Sequence, residues 1–266
     1  MIYIITHKIF EPYFNDKEHY QVLHVGLNDE SLEEYLRDDT DLNISFKNPN
    51  FCELTGLYWI WKNGMEKQKE IAGLVHYRRY FTTKWGDFFY TYFGKKPKIL
   101  SYGKIQNSMK KYDIILPEPE KIFRTVRQSY IDVHNEEDLL LTRQAIIETS
   151  PEYVVSYDTV MDSHKYYYAN MMICEKRVLD EYSEWLFSVL FNVERKINIK
   201  KYSDSYQKRV FGFLAERLLQ VWVLHNNLSV REFPVFNTEN RRLNILEKNK
   251  SRLIKCINTL RKNDEK

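Results

Sequence analysis

The segment Ile71-Ala72-Gly73-Leu74-Val75-His76-Tyr77-Arg78-Arg79-Tyr80 joins an unbroken apolar run to a basic end. Residues 71–75 are apolar at every position, which is typical of a strand buried on both faces of a parallel sheet. Open α/β sheets bind ligands at the carboxyl ends of their strands. We therefore predict that His76, Arg78 and Arg79 face an anionic ligand. A diphosphate fits them, because arginine binds phosphate oxygens through two parallel hydrogen bonds.

A structural alternative exists for these two arginines. One of them would pair with a carboxylate of the core, such as Glu53, instead of binding a ligand. Two adjacent arginines directly after a buried strand are difficult to place in that way. The pattern therefore favours the anion-binding interpretation over the structural one.

Apolar runs alternate with helical periodicity along the rest of the chain. This alternation predicts an α/β fold with a mostly parallel central sheet flanked by helices. One domain is expected over residues 1–240, because no linker or internal repeat interrupts it, and a basic segment follows at 241–266. The predicted strands cover 2–5, 20–25, 71–75, 113–116, 169–174 and 232–236, and the predicted helices cover 31–36, 51–62, 176–196 and 204–225.

Capping residues indicate where two helices begin. Asn50 followed by Glu53 matches a capping box at the start of helix 51–62. Asn135 can cap a helix whose first turn is acidic at residues 136–138, as the helix dipole favours. Helix 51–62 is apolar all round, which predicts burial on most of its sides.

The composition is that of a packed domain. Of the 266 residues, 43% are hydrophobic and 29% are charged, so a sizeable core is expected. The net charge of +3 is too small to predict nucleic acid as a partner. The three cysteines stand far apart, and neither a signal-peptide pattern nor an apolar run long enough to span a membrane is present, so we expect a cytoplasmic protein.

Residues 249–266 carry six lysines and arginines among apolar side chains at helical spacing. A basic amphipathic segment of this kind can lie on an anionic membrane surface. Peripheral contact with the inner face of the cell membrane is therefore one interpretation. An ordinary solvated terminal helix is the other, and it is slightly favoured.

Two polar groups carry weaker signals. The loop at 38–43 reads Asp-Asp-Thr-Asp-Leu-Asn, which can bind a uracil edge, ribose hydroxyls or a metal, but these residues are also common turn formers. His76, His134 and His164 follow no known ligand spacing, so a histidine metal site is not favoured.

Helix 204–225 offers a candidate general base. Arg209, Gly212 and Glu216 fall on one stripe of this helix, opposite its apolar side. The stripe is either a solvated face or the wall of a cleft, in which Glu216 would take a proton and Gly212 would allow a ligand to approach closely. The sequence leaves both interpretations open.

Seven strings along the chain are distinctive when taken together. They are NIS at 43–45, ELTGLYWIWKN at 53–63, GLVHYRRYF at 73–81, NMMI at 170–173, EWLF at 184–187, RVFGF at 209–213 and ERLL at 216–219. Together they resemble a bacterial family long catalogued as a domain of unknown function and commonly described as capsular polysaccharide synthesis glycosyltransferases. The similarity covers roughly residues 2–240. Members usually read DDTGDNIS where this chain has Asp38 to Ser45, without the glycine.

The resemblance implies a nucleotide-sugar-binding fold of the GT-A type. Because some relatives are galactosyl- or galactofuranosyltransferases with a UDP donor, we expect transfer of such a hexose from a UDP-sugar to a lipid-linked oligosaccharide acceptor of a growing capsular polysaccharide, exopolysaccharide or O-antigen. Inversion is expected, with Glu216 as the preferred base and Asp204 in reserve. No Asp-x-Asp follows strand 71–75, so no metal is expected, with a divalent metal kept as the alternative.

These expectations assign residues to two parts of one site. A non-catalytic nucleotide-sugar-binding or scaffold subunit of a polysaccharide assembly complex is the alternative from another functional class. The expected contacts to the donor and its diphosphate are Thr6, His7, Lys8, Asp39, Asn43, His76, Tyr77, Arg78 and Arg79, and those to the sugar or acceptor are Glu53, His134, His164, Asn170, Arg209 and Arg217.

Overall fold

The computed structural model describes residues 1–13, 16–27, 35–64, 70–93, 96–202 and 204–239. Most of the helix predicted at 31–36 and the whole basic segment at 241–266 lie outside the described residues.

Eleven strands occur in the described part of the chain. Short turns of 3-10 helix occur as well, at Ser45–Lys47, Pro151–Tyr153, Ile199–Lys201 and Gln207–Arg209. The strands are β1 (Ile2–Thr6), β2 (Tyr20–His24), β3 (Leu36–Arg37), β4 (Ile71–His76), β5 (Arg79–Phe81), β6 (Ile114–Pro117), β7 (Glu120–Lys121), β8 (Lys165–Tyr166), β9 (Met172–Glu175), β10 (Val230–Phe233) and β11 (Val235–Asn237). The α-helices are α1 (Asn48–Phe51), α2 (Leu54–Asn63), α3 (Lys84–Phe93), α4 (Tyr102–Met109), α5 (Val126–Ile131), α6 (Glu136–Thr149), α7 (Val154–Met161), α8 (Lys176–Lys196) and α9 (Val210–His225).

The central sheet has the strand order β10-β6-β9-β4-β1-β2-β3. All neighbours along this path are parallel except β9, which runs antiparallel to both β4 and β6. The short strands β5 and β11 extend the sheet beside β4 through antiparallel pairing. The mostly parallel central sheet predicted from the alternating pattern is therefore confirmed.

The strand β4 lies near the middle of this sheet and is buried over Ala72–Val75. Gly73 permits its close pairing with β9, because a Cβ atom there would stand 2.5 Å from the carbonyl oxygen of Met172. The helices α2, α6, α8 and α9 contribute to one large apolar core on one face of the sheet. A smaller core, which includes Ile105 of α4, lies on the opposite face. Burial of both faces explains why the sequence of β4 is continuously apolar.

The predicted helix at 51–62 is wrong at its start. The chain forms α1, bends at Cys52 with φ of 52° and ψ of −131°, and only then begins α2. Neither helix start has a side-chain cap. The capping box fails because the Glu53 carboxylate accepts a hydrogen bond from Asn170 instead.

Other boundaries follow the sequence more closely. The α8 bounds agree with the prediction, and the Asn135 side chain caps α6 by accepting from the N–H of Glu137 at 3.1 Å. The strand predicted at 169–174 begins later, at Met172, because Ala169 and Asn170 adopt positive φ. Pro234 divides the predicted edge strand at 232–236 into β10 and β11.

Candidate functional site

Some of the polar residues singled out in the sequence, among them His7, His76 and Glu216, gather at one edge of the sheet. Parallel strands β1, β2 and β4 end there, and the antiparallel β9 begins there. The segments that leave these ends carry His7, Gly26, His76 and Ala169. The start of α9 reaches the same edge, since the Glu216 carboxylate accepts a hydrogen bond from Ala169.

Glu216 and His76 are both bound to the backbone of Ala169. The N–H of Ala169 donates to Glu216 Oε1 at 2.8 Å, and His76 Nε2 is hydrogen-bonded to the carbonyl oxygen of Ala169. The other carboxylate oxygen of Glu216 accepts from Arg217 Nη1 at 3.0 Å. Burial raises the pKa of Glu216, although Arg217 and the Ala169 N–H oppose that rise. The result is a carboxylate with strengthened basicity held in a fixed position.

His76 is half-buried, and the loss of solvent around its ring lowers its pKa, against the opposing effect of Glu53. A lowered pKa keeps the imidazole neutral at physiological pH. Because its Nε2 faces a carbonyl oxygen, which can only accept, the Nε2–H tautomer is required. The ring therefore acts as a neutral donor that fixes the turn before β9.

Asn170 connects three segments at the same edge. Its Nδ2 donates to Glu53 Oε1 at 2.6 Å and to the carbonyl oxygen of Gly212 at 3.1 Å. Its side-chain oxygen is buried and has no hydrogen-bond partner in the structure. A buried acceptor without a partner carries a cost that a ligand hydroxyl would relieve. Asn170 therefore offers an acceptor that is already in position.

Gly212 and Cys52 also meet here. A Cβ atom at Gly212 would lie 3.4 Å from Cys52 Sγ, in ordinary contact. Arg209 Nε donates to the same sulfur at 3.2 Å. The bend at Cys52 thus brings Arg209 and the first turn of α9 next to Glu53.

A cluster of cations lies beside this centre. His7 packs edge-on against Tyr77 with ring centroids 5.5 Å apart, and Lys8 Nζ stands 4.8 Å over the same ring. Arg78 pairs with Glu239 at 2.8 Å, and Lys8 lies 3.5 Å from that carboxylate. Burial, followed by Lys8 and Arg78, lowers the pKa of His7. Two cations, Lys8 and Arg78, thus share one carboxylate, which makes the cluster suited to an anion.

Arg79 lies on the other side of the hairpin formed by β4 and β5, where it pairs in register with His76. Burial has the largest effect on the pKa of His76 and lowers it, whereas Glu53 and the Ala169 carbonyl raise it. The charge of Arg79 adds a smaller decrease, and it also lowers the pKa of Glu216. Arg79 has no ion-pair partner among the residues that the structure describes. The alternative in which an arginine pairs with Glu53 is not what the structure shows, because Glu53 binds Asn170.

An open cleft of about 460 Å³ adjoins the cationic cluster. Its walls come from the ends of β1 and β2 and from the turn before α1. A larger cleft of about 720 Å³ exists elsewhere, and none of the predicted site residues is among its described lining residues. The smaller cleft is lined by His7, Lys8, Ile9, His24, Val25, Gly26, Leu27, Ser45, Phe46, Asn48 and Pro49.

The floor of this cleft depends on Gly26. Its φ is +87°, and a Cβ atom would stand 2.9 Å from Asn48 Oδ1. Its N–H donates to Asp38 Oδ1 at 2.9 Å. Asp38 is buried, and burial raises its pKa to about 6. Asn48 in turn donates to the carbonyl oxygen of Cys52 at 2.8 Å, so one residue links the cleft to the bend beside Glu53.

The remaining predicted donor residues have local partners. Thr6 is buried, and its hydroxyl donates to the carbonyl oxygen of Lys8 at 2.6 Å, which shapes the turn after β1. Asp39 forms a two-point ion pair with Arg37. Asn43 accepts from the backbone and hydroxyl of Ser45. In this loop it is Asp38, not Asp39, that contacts the cleft glycine.

The other predicted residues lie at varying distance from the centre. Arg217 is buried and stacks over the rings of Tyr130 and Tyr166 at 5.1 Å from each centroid. His134 Nδ1 donates to Gln207 Oε1 at 2.9 Å, and its ring stacks on Phe213. His164 is bound to the carbonyl oxygen of Phe123, and Asp204 caps the turn before α9 by accepting from the N–H of Gln207.

Across the described ranges, no three His, Cys, Asp or Glu side chains come together as a metal site would require. His76, His134 and His164 therefore do not form such a group. Within the same ranges, no helix combines the length and apolarity needed to cross a membrane.

Sequence reasoning missed His24, Gly26 and Asn48, and from the loop at 38–43 it selected Asp39 and Asn43 instead of Asp38. Gly26 did carry a signal, because it ends the second predicted strand at the edge where ligands bind. Asn48 precedes Pro49, and in the sequence this pair indicates only the start of a helix. Its role depends on contacts with Gly26 and Cys52 that no local pattern encodes.

The fold and site define an α/β protein whose mostly parallel sheet collects cations and buried carboxylates at the strand ends. The chain belongs to the family described as a domain of unknown function, DUF4422, whose model matches residues 1–227. This match confirms the resemblance found in the sequence. No curated protein matches the chain.

One solved structure is similar to the chain over most of its length. It is the apo structure of WbbM, a bifunctional glycosyltransferase, with a TM-score of 0.75 and 30% sequence identity. The alignment covers 90% of this chain and 45% of that one. The chain therefore spans less than half the length of the protein that it matches.

Proposed function

We propose that this chain is a glycosyltransferase with a GT-A-type fold that moves a hexose, galactose or galactofuranose, from a UDP-sugar to a lipid-linked oligosaccharide. The acceptor would belong to a capsular polysaccharide, an exopolysaccharide or an O-antigen. The proposal is carried by one observation: the half-buried Glu216 carboxylate and the cations around Tyr77 occupy the same edge of the sheet. Similarity to a bifunctional glycosyltransferase supports the same reaction class.

The arrangement suggests how the parts would work. Uridine would occupy the cleft beside Gly26, and the diphosphate would bind His7, Lys8, Arg78 and Arg79. Lys8, Arg78 and Arg79 would stabilise the charge that develops on the leaving UDP, and the neutral imidazole of His7 would donate a hydrogen bond.

Glu216 would act at the other reacting atom. It would accept the proton of the acceptor hydroxyl as that oxygen attacks the anomeric carbon and the bond to UDP breaks, with inversion. Asn170 and Glu53 would bind sugar hydroxyls, and Asp204, which caps a turn, is the weaker candidate for the base.

A thermal-shift screen of the full chain tests donor binding first. UDP-galactose, UDP-galactofuranose, UDP-glucose, GDP-mannose and UDP alone are compared, because a ligand that binds the folded state stabilises it in proportion to its occupancy. We expect a UDP-sugar to stabilise the chain most. The absence of any shift with every nucleotide would contradict the proposal.

Release of UDP then separates the enzyme from a binding subunit. The donor identified in the screen is incubated with a lipid-linked oligosaccharide fraction, and free UDP is measured. An enzyme releases UDP in proportion to the acceptor added. Donor binding with no acceptor-dependent release would instead identify a non-catalytic nucleotide-sugar-binding subunit.

We also propose that transfer does not need a metal, because arginine and lysine side chains are positioned to neutralise the diphosphate. The test is UDP release before and after treatment with a chelator. Unchanged release supports the proposal. Loss of release with chelator and recovery with Mn²⁺ would show a metal-dependent mechanism.

A further inference from the structure

The helix α3 presents its apolar stripe to solvent. Trp85, Phe88, Phe89, Tyr92 and Phe93, here called the aromatic patch, follow the spacing by which a helix normally faces a core. Yet no residue of α3 is buried, and four of the five side chains are 42% to 59% exposed while Trp85 reaches 72%. A contiguous exposed apolar surface of this kind marks an interaction site.

The aromatic side chains of the patch contact one another. The rings of Phe88 and Tyr92 lie 4.6 Å apart, those of Phe89 and Phe93 lie 5.8 Å apart, and Trp85 stands edge-on to Phe88 at 6.0 Å. These contacts hold the aromatic side chains together on the outer side of the helix. The patch therefore exists before any partner binds.

A different side of α3 contacts the body of the protein. A Cβ atom at Gly86 would stand 2.5 Å from Thr82 Oγ1 and 3.1 Å from Pro97, so this glycine lets the helix lie close to its own flanking segments. Tyr90 packs edge-on against Phe236 of β11 at 4.8 Å. Because Gly86 and Tyr90 supply the attachment, the aromatic patch is left uncovered.

Lysines flank the patch at both ends. Lys84 begins the helix and is 81% exposed in its side chain, and Lys96 and Lys98 follow its end and are exposed. Asp87 is the acidic residue of the helix. Lysine side chains are attracted to an anionic bilayer, and aromatic side chains favour the boundary between headgroups and acyl chains.

The size of the patch argues against a protein partner. The five aromatic side chains have about 150–250 Å² of surface each and are about half exposed, so the patch offers roughly 500 Å². A stable protein interface needs about 800 Å² on each partner. A few inserted aromatic side chains with adjacent lysines are enough for reversible binding to a lipid surface.

The helix also begins close to the candidate site. Only Thr82 and Thr83 separate it from β5, which carries Arg79. Lys84 Nζ lies 3.5 Å from the Glu118 carboxylate. Burial and Glu120 raise the pKa of Tyr168 and Arg79 opposes them, while Asp87 and Glu118 raise it by smaller amounts. Tyr168 directly precedes Ala169. A bilayer that received α3 would therefore lie near the hairpin that carries Arg79.

We propose that the aromatic patch on α3, with its flanking lysines, docks the protein on an anionic lipid bilayer. This surface is distinct from the basic segment at 249–266. It extends the proposed function by presenting the site to a lipid-linked substrate, but docking itself needs neither donor nor acceptor.

The test is co-sedimentation of the full chain with vesicles, without any nucleotide sugar. Mixed phosphatidylethanolamine and phosphatidylglycerol vesicles are compared with phosphatidylcholine alone. We expect binding to the anionic vesicles and at least about ten-fold weaker binding for the double variant Trp85→Ser, Phe89→Ser. The matched control is Phe123→Ser, because Phe123 is 71% exposed and lies outside the patch.

Binding by the basic segment must be separated from binding by the patch. The aromatic variant is therefore also measured in a chain with Lys250→Gln, Arg252→Gln and Lys255→Gln. The loss should appear in both backgrounds. The proposal is overturned if the wild type does not bind anionic vesicles, or if the aromatic variant binds them as well as the wild type does. It is also overturned if the wild type does not bind vesicles but forms a dimer in sedimentation velocity, and the aromatic variant does not form that dimer. A retained donor thermal shift in the same samples would show that docking alone had failed.

Discussion

Glu216 and His76 are held by the same residue, since Glu216 accepts from the N–H of Ala169 and His76 binds its carbonyl oxygen. Ala169 adopts φ of +75° and Asn170 φ of +44°, which turns successive backbone groups in different directions. Non-glycine residues adopt such conformations at a cost, and the surrounding hydrogen bonds maintain them here. The turn before β9 thus fixes a carboxylate and an imidazole relative to each other.

Replacing the carboxylate of Glu216 tests its role as the base. Glu216→Gln should lower kcat by orders of magnitude while the donor thermal shift stays nearly unchanged, because the amide keeps the shape but cannot take a proton. Glu148→Gln, on the outer surface, serves as control. An active Glu216→Gln variant would remove Glu216 from this role.

The pH dependence of turnover follows from the raised pKa of Glu216. A base works only when ionised, so kcat should fall as the pH drops through the pKa of this group. Because burial raises that pKa, the acid limb of the profile should lie above the ordinary value of 4.5. Steady-state kinetics across the pH range measures it, and an acid limb at or below that value would contradict the assignment.

The arginines after β4 should govern binding of the diphosphate. Arg78→Gln and Arg79→Gln should each weaken UDP binding by roughly ten-fold or more, since a charge-assisted contact contributes about 1.5–3 kcal/mol. Arg177→Gln is the matched control, because Arg177 is an exposed arginine paired with Glu181 on α8. Isothermal titration with UDP gives the affinities. Equal UDP affinities for the wild type and all three variants would show that the diphosphate binds elsewhere.

The cleft should not tolerate a side chain at Gly26. Gly26→Ala should lower the melting temperature and weaken UDP binding, because a Cβ atom would meet Asn48 Oδ1 at 2.9 Å and the backbone has φ of +87°. Gly103→Ala on α4 is the control. A Cβ atom at Gly103 has no neighbour within 4 Å, so this change should be neutral or stabilising by up to about 1 kcal/mol. Unchanged UDP binding by the Gly26→Ala variant would place the nucleotide outside this cleft.

Asp38 should make stability fall as the pH rises. Burial raises its pKa from 3.8 to about 6, so the folded state holds the proton more tightly than the unfolded state does. The free energy of unfolding should therefore decrease between about pH 4 and pH 6 through this group. Asp38→Asn should lack that decrease and be more stable at pH 7 by up to about 3 kcal/mol.

Urea denaturation at several pH values measures this effect. The surface variant Asp162→Asn should keep the wild-type profile. A profile for Asp38→Asn that matches the wild type throughout would show that Asp38 does not titrate in this range.

The contact between Asn170 and Glu53 should stabilise the site. Asn170→Ala removes donors to Glu53 and Gly212 and places alanine at φ of +44°, so it should cost about 2–4 kcal/mol of unfolding free energy. Asn50→Ala, which removes one exposed hydrogen bond to Lys208, should cost far less. Chemical denaturation compares the two variants, and equal losses would contradict a special role for Asn170.

The sequence by itself determined the mostly parallel sheet and the bounds of helix α8. The run at 71–75 and the helix at 176–196 were predicted correctly because burial on both faces, or on one stripe, leaves a local pattern along the chain. The edge at which the strands end also followed, since the ligand-binding edge of an α/β sheet depends on strand direction. The position of His76, Arg78 and Arg79 at the end of β4 could therefore be predicted from the sequence alone.

Only the tertiary structure decided how the polar residues are connected. Glu53 was predicted as a capping residue, but it binds Asn170, which lies 117 positions away along the chain. Asp39 was predicted as the donor contact in the loop after β3, but Asp38 reaches Gly26. The physical reason is that a buried polar group must find a partner wherever the fold brings one, and a pairing between distant segments leaves no period or spacing in the sequence.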